Sequence, residues 1–168
     1  AADGSYAQWL DAGRLLIGRR EVVTTTLGVY DTRDSDVYVL GQWNWLRGLS
    51  VAPGGGRLLF YTVWDAGNGL YTLATARGAQ AVRLPWFGGW RWRDADTVYL
   101  APLDANASTT ALLIADLATG EAVRLNTDAP FLIANGDWAV SGDGQRLALF
   151  NALDATTWIL GPSGESQP

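Results

Sequence analysis

Residues 48–84 read GLSVAPGGGRLLFYTVWDAGNGLYTLATARGAQAVRL and contain the pattern that decides the fold. Short apolar segments alternate in this stretch with connections rich in Gly, Pro and Asp. Apolar segments of this length predict β-strands, and Gly and Asp suit tight turns because they tolerate positive φ angles. The four predicted strands contain residues 48–51, 58–60, 70–73 and 81–84. The stretch therefore predicts four consecutive strands joined by turns.

The same pattern recurs along the chain. The second strand of each unit begins at Leu15, Leu58, Val98 and Leu147, at intervals of 43, 40 and 49 residues. Four short strands in about 40–45 residues are the blade of a β-propeller. The repetition has a physical reason, because one four-stranded sheet cannot bury both of its apolar faces unless neighbouring sheets cover them.

We therefore predict an all-β fold, a β-propeller of about four blades with four antiparallel strands each. The chain is expected to be a single domain or arc, and the last blade is expected to be incomplete because its outer strand would begin only near residue 166. The predicted blades are approximately residues 6–40, 41–84, 85–125 and 126–168.

Three segments resemble TolB-type, WD40-like propeller repeats: residues 48–84, LLIADLATGEAVRL at 112–125 and GDWAVSGDGQRLALFNALDATTWIL at 136–160. A repeat of that family reads Trp-Ser-Pro-Asp-Gly, an apolar strand, an Ile-Tyr-type strand, a Thr-Gly turn and a closing Leu. The turn RDADT at 93–97 departs from it by lacking the Gly, and APGG at 52–55 lacks the Asp. The resemblance implies a propeller fold. It implies no single function, because such repeats serve in scaffolds, peptidase gating domains and periplasmic binding proteins.

The composition removes much of the usual catalytic chemistry. The chain of 168 residues has no Cys, no His and, since all twelve basic residues are Arg, no Lys. Thiolate nucleophiles, the usual general base and Schiff-base chemistry are therefore excluded. We expect a protein that is not an enzyme and needs no cofactor or metal. A net charge of −5 argues against nucleic acid as a partner, and no apolar run approaches the length of a transmembrane segment.

Two acidic segments have residue patterns that occur in metal or catalytic sites. The residue preferences of tight turns explain both patterns as well. Residues 31–36, DTRDSD, place carboxylates as a calcium loop does. The repeat, however, places them in the turn between the last two strands of a blade. Asp94 and Asp96 could be a pair of catalytic carboxylates, but they occupy a first hairpin turn, where Asp is common. We predict turns at both places.

Two Trp-rich segments are the candidate binding surface. QWNWLR at 42–47 and PWFGGWRW at 85–92 lead from the outer strand of one blade into the inner strand of the next. Aromatic rings beside Arg are frequent in binding hot spots. The alternative is packing between blades, which we expect for Trp9, Trp92 and Trp138, whereas Trp45 and Trp86 are expected to be exposed. The predicted binding residues are Trp43, Trp45, Arg47, Trp86, Trp90 and Arg91.

These features predict a non-catalytic recognition or scaffold module that binds a protein or peptide through a Trp- and Arg-lined rim. Two alternatives stay open: a gating portion of a larger peptidase, and a binder of carbohydrate or another small ligand. An incomplete ring would also favour self-association. The resemblance and an N-terminus without Met favour a secreted or periplasmic location, with a cytoplasmic one left open. The absence of Lys beside abundant Ala, Gly and Arg is typical of GC-rich bacterial genomes.

Overall fold

The computed structural model describes residues 4–64, 67–125, 130–134, 136–162 and 164–167. In these ranges the chain forms strands β1–β16, arranged as four antiparallel sheets of four strands each. The first two sheets consist of β1 (Gly4–Trp9), β2 (Arg14–Glu21), β3 (Thr24–Asp31), β4 (Asp36–Asn44), β5 (Leu46–Val51), β6 (Arg57–Thr62), β7 (Gly69–Ala74) and β8 (Val82–Arg83). The other two consist of β9 (Gly88–Trp92), β10 (Thr97–Pro102), β11 (Leu113–Asp116), β12 (Ala122–Arg124), β13 (Trp138–Val140), β14 (Leu147–Asn151), β15 (Thr156–Leu160) and β16 (Ser166–Gln167).

Every sheet is a meander in which strands adjacent in sequence are also adjacent in space. The predicted all-β fold of four four-stranded sheets is therefore confirmed. The last strand, β16, begins at the position that the repeat predicts and has only two residues, as does β8. No element in the described ranges is a helix long and apolar enough to cross a membrane.

The chain divides into two compact units, residues 1–85 and residues 86–168, each containing two sheets. The prediction of a single domain or arc stays a prediction. Each unit has its own apolar core. The core of the first unit includes Leu16, Leu27, Val29, Leu58 and Phe60, and that of the second includes Tyr99, Phe131, Trp138, Leu147 and Leu149. Burial of such side chains contributes roughly 1.5–3 kcal/mol each.

A glycine at positive φ fixes the first turn of the fourth sheet against the chain that precedes β10. Gly144 has a φ of 74°, and a Cβ added to it would lie 1.9 Å from the carbonyl oxygen of Arg93. The Gly144 carbonyl in turn accepts a hydrogen bond of 3.0 Å from the buried Tyr99 hydroxyl. Gly55 makes the corresponding close approach to Leu10 in the first unit. Only glycine satisfies both the backbone angle and the space at these turns.

The acidic side chains predicted to lie in turns are engaged in turn contacts. Asp94 accepts hydrogen bonds from the backbone N–H groups of Asp96 and Thr97, at 3.0 and 2.8 Å. Its other carboxylate oxygen accepts from the Thr97 hydroxyl at 2.6 Å. In the segment 31–36, the guanidinium of Arg33 pairs with Asp31 and lowers the pKa of that carboxyl to about 2. These carboxylates therefore stabilise turns.

Candidate functional site

Trp43 packs inside the first unit. It lies in β4, which runs to Asn44, so this part of the segment 42–47 is strand and not connection, contrary to the prediction. The half-buried ring lies 4.9 Å from the ring of Phe60, a core residue. Gly41 leaves the space that the indole occupies, since a Cβ there would lie 2.5 Å from it. We therefore assign Trp43 to packing.

Trp45 is the single residue between β4 and β5, and its backbone is in the left-handed region with a φ of 52°. The backbone N–H of Trp45 donates a hydrogen bond of 2.8 Å to the carbonyl of Val23. The side chain is half-buried and not exposed as predicted. A bulky residue at positive φ is unusual and costs roughly 1–3 kcal/mol, so the surrounding contacts must hold it.

Trp64, which is not among the predicted binding residues, contacts Trp45. The two rings meet edge to face, with centroids 5.2 Å apart and planes at 86°. Trp64 itself has a φ of 59°, and 73% of its side chain is exposed. One sequence feature could have indicated this exposed side chain. Trp64 is a large aromatic residue in a connection rich in Gly and Asp, VWDAGNG at residues 63–69, and side chains in such turns rarely reach a core.

The connection that carries Trp64 is tied down at its base. The Thr62 hydroxyl, at the end of β6, donates a hydrogen bond of 2.6 Å to the carbonyl of Gly67. The hydroxyl of Tyr71, on β7, donates to the same carbonyl at 2.6 Å. Two hydrogen bonds therefore hold Gly67, three residues after Trp64, against β6 and β7.

Arg47 completes this group. Its guanidinium lies 5.7 Å from the centre of the Trp45 ring, within the range of a cation–π contact. One of its N–H groups donates to the Leu46 carbonyl at 2.9 Å. We call Trp45, Arg47 and Trp64 the aromatic corner. It combines an exposed aromatic ring with a positive charge.

A cleft of about 470 Å³ lies beside the corner, within the first unit, between β1 and β5. We call it the inner cleft and define it by Tyr6, Gln8, Arg20, Thr25, Arg47 and Gly48. The pairing of β5 with β6 shifts register between Arg47 and Ser50, and Gly48 has a φ of 59°. Such bulges re-aim side chains and are frequent next to binding sites.

The predicted residues of the second unit are placed differently. Trp86 precedes β9, whereas Trp90 and Arg91 lie within it, and all three are half-buried. The Arg91 guanidinium lies 5.0 Å from the ring of Trp138, which is only 4% exposed and belongs to the core. Arg91 therefore covers a core side chain.

The three Trp residues expected to pack differ in burial. Trp138 is buried and Trp92 is half-buried. Trp9 is 60% exposed, so its assignment to packing was wrong for this structure. Trp9 lies on β1, an edge strand of the first sheet, as Trp92 and Trp138 lie on the edge strands β9 and β13, so the edge position alone does not decide burial.

The repeated four-stranded antiparallel meanders define the class: the chain is made of β-propeller blades. Solved structures support this assignment. TolB from Acinetobacter baumannii matches with a TM-score of 0.60 and 19% identity, over 98% of this chain and 43% of that one. Oligogalacturonate lyase from Vibrio parahaemolyticus matches with a TM-score of 0.68 and 12% identity, over 98% of this chain and 53% of that one.

An uncharacterized protein from Listeria monocytogenes EGD-e matches with a TM-score of 0.62 and 12% identity, over 95% of this chain and 50% of that one. The chain thus spans about half the length of the structures that it matches. The predicted resemblance to TolB-type propellers is confirmed for the fold. No family model matches the chain, and no curated protein matches it.

Proposed function

We propose that this chain is a non-catalytic recognition module that binds a peptide segment of a partner protein at the aromatic corner. The observation that carries the proposal is the exposure of Trp64, whose ring is 73% accessible while its neighbour Trp45 supports it edge to face. Exposed aromatic rings on fixed supports, next to Arg, are the usual centres of protein interfaces. Two Trp residues at positive φ add backbone strain of the kind that collects at functional sites.

The proposal of a non-catalytic role rests on composition. With no His, Cys or Lys in the sequence, general base catalysis would depend on carboxylates or Tyr. Asp94, the carboxylate with the best catalytic pattern in the sequence, already accepts hydrogen bonds from its own turn. The alternative of a propeller accessory to a larger peptidase is tested by reading the full-length gene for a catalytic domain.

The experiment is a selection of random peptides by phage display on the folded chain, with counter-selection on the Trp64→Ala variant. We expect enriched peptides that bind the wild type and lose about thirtyfold in affinity, or roughly 2 kcal/mol, on Trp64→Ala. Phe150→Ala is the matched control, because Phe150 is also an exposed aromatic residue, 41% accessible, and lies on β14 of the second unit, outside the corner. It should leave the affinity unchanged.

Two results would overturn the proposal. Peptides that bind Trp64→Ala as tightly as the wild type would remove the corner from the interface. Failure to enrich any peptide, together with shifts of the indole N–H resonances on addition of neutral oligosaccharides, would favour the carbohydrate-binding alternative. Retained unfolding midpoints in urea check that each variant is folded.

Self-association is a second proposal, and it concerns the outer face of the first sheet. Cross-strand pairing places Trp9 and Val37 in one row and Val39 in the next row of the same face. These three side chains are 60%, 55% and 63% exposed. Propeller sheets cover both faces with neighbouring sheets, and the matched structures are about twice as long as this chain. A second copy of the chain is the proposed occupant.

The molar mass in solution, measured by light scattering, tests whether a second copy of the chain binds this face. We expect a mass of twice 18.1 kDa for the wild type and a monomer for Val39→Glu, which places a charge on the apolar face. Val82→Glu is a control for added charge on another sheet, because Val82 is 57% exposed and lies on β8 of the second sheet. A monomeric wild type at 100 μM would overturn the second-copy proposal.

A further inference from the structure

The inner cleft is a positive site in an acidic protein. The chain carries a net charge of −5, yet two arginines, Arg20 and Arg47, line the cleft, and no Asp or Glu is among the described residues around it. Neither arginine forms a salt bridge with any residue in the described ranges. Two guanidinium groups in one cleft without an acidic partner favour a bound anion.

Arg20 lies on the wall of this cleft. Arg20 on β2 pairs in register with Thr25 on β3, so the two side chains share one face of the sheet. Thr25 is 4% exposed and Arg20 is half-buried, so both belong to the lining of the cleft and not to the open surface.

Arg47 approaches from the second sheet of the same unit. Its single hydrogen bond within the described part of the chain, to the Leu46 carbonyl, uses one N–H of the guanidinium. Of the five N–H donors of an arginine, four remain for a ligand. The planar fork of Arg matches a carboxylate, with which it forms two parallel hydrogen bonds.

The remaining lining suits a small polar anion. Tyr6 lies at the cleft, and burial raises the pKa of its hydroxyl to about 12, so the phenol stays neutral and can donate a hydrogen bond. Gln8 adds an amide donor, and Thr25 adds a hydroxyl. The volume of about 470 Å³ admits a side chain or a chain end but not a folded domain.

We infer that the inner cleft binds a carboxylate of the partner peptide between Arg20 and Arg47, while an apolar group of the same peptide contacts the aromatic corner. This inference rests on the proposed function, because it assumes a peptide at the corner. Arg47 belongs to both surfaces and joins them. The carboxylate belongs either to an acidic side chain or to the free end of a chain, and the two sources share the same chemistry.

The test uses three tripeptides and NMR spectra of the ¹⁵N-labelled chain. Acetylated, amidated Leu-Glu-Leu supplies a side-chain carboxylate. Acetylated Leu-Gln-Leu with a free end supplies a terminal carboxylate, and acetylated, amidated Leu-Gln-Leu supplies neither. We expect at least one of the first two to shift the amide resonances of Arg20, Arg47 and Gly48, and the third to leave that of Arg20 unchanged, because it can contact only the corner.

Three variants test which arginines bind the carboxylate of the peptide. Arg20→Gln and Arg47→Gln should each weaken binding of the active tripeptide about tenfold or more, because each removes charge-assisted hydrogen bonds. Arg19→Gln is the matched control: it removes the same charge from the adjacent position, where Arg19 is 71% exposed and pairs with Glu21. Its effect should be less than twofold.

The inference is overturned if the uncharged tripeptide binds as well as the charged ones, or if Arg19→Gln weakens binding as much as Arg20→Gln. Its failure can be told from failure of the proposed function. Selected peptides that depend on Trp64 but not on Arg20 or Arg47 would keep the corner and remove the cleft. If Arg47→Gln does not fold, Arg20→Gln alone decides.

Discussion

Arg47 and Arg91 have the same local geometry and different surroundings. Each lies in the first strand of a sheet, donates to the carbonyl of the preceding residue, at 2.9 and 2.8 Å, and covers a Trp ring. The ring under Arg91 is Trp138, which is buried in the core of the second unit. The ring under Arg47 is half-buried Trp45, which contacts the exposed Trp64. The same pair of residue types therefore stabilises a core in one unit and borders solvent in the other.

The clefts of the two units differ in the same way. The inner cleft of the first unit is lined by two arginines and several hydrogen-bonding side chains. A cleft of about 340 Å³ in the second unit has no arginine among its described lining residues and includes Asp104 beside Leu132 and Ile133. The two units therefore share one strand order and differ in the burial and charge of their side chains. These differences favour packing in the second unit and a candidate binding site in the first.

The largest expected effect is on the stability of the second unit. Trp138→Ala should lower the free energy of unfolding by about 3–5 kcal/mol, because it leaves a cavity in a well-packed core. Trp64→Ala, which removes an equally large but exposed ring and its edge-to-face contact with Trp45, should lower it by no more than about 1 kcal/mol. Urea unfolding followed by circular dichroism measures both. Similar losses for the two variants would contradict the division between packing and exposed Trp.

An intermediate effect should separate the two arginines. Arg91→Ala should destabilise the chain by about 1–2 kcal/mol, since its cation–π contact is with a desolvated ring. Arg47→Ala should cost no more than about 0.5–1 kcal/mol, because its ring is closer to solvent. The same unfolding experiment compares them. A larger loss for Arg47→Ala would assign Arg47 to packing and weaken the candidate site.

The smallest effect concerns an exposed ion pair of the first unit. Pairing with Arg33 lowers the pKa of Asp31 to about 2, below the value of about 3.9 expected in the unfolded chain. The pair therefore stabilises the fold above the unfolded pKa, and this contribution is lost as the pH falls through about 2. An NMR titration of the Asp31 carboxyl should show the low pKa, and Arg33→Gln should raise it. An unchanged pKa in that variant would remove Arg33 as the cause.

Much of the fold followed from sequence, and the site followed only in part. The recurrence of strand starts at Leu15, Leu58, Val98 and Leu147 predicted four sheets, because strands and turns repeat along the sequence with the period of a propeller blade. The Arg47–Trp45 half of the corner was also predicted. Trp64 was missed because it lies 19 residues from Trp45 in sequence and meets it only when two connections of the same unit come together.

What the sequence determined by itself is therefore the strand pattern, the turn chemistry and the absence of His, Cys and Lys, since these depend on residue type and local order alone. The tertiary structure decided which Trp residues are buried. It also decided which arginines lack an acidic partner in the described ranges and that two of them line one cleft. Burial and charge pairing depend on residues far apart in the chain, so no local pattern records them.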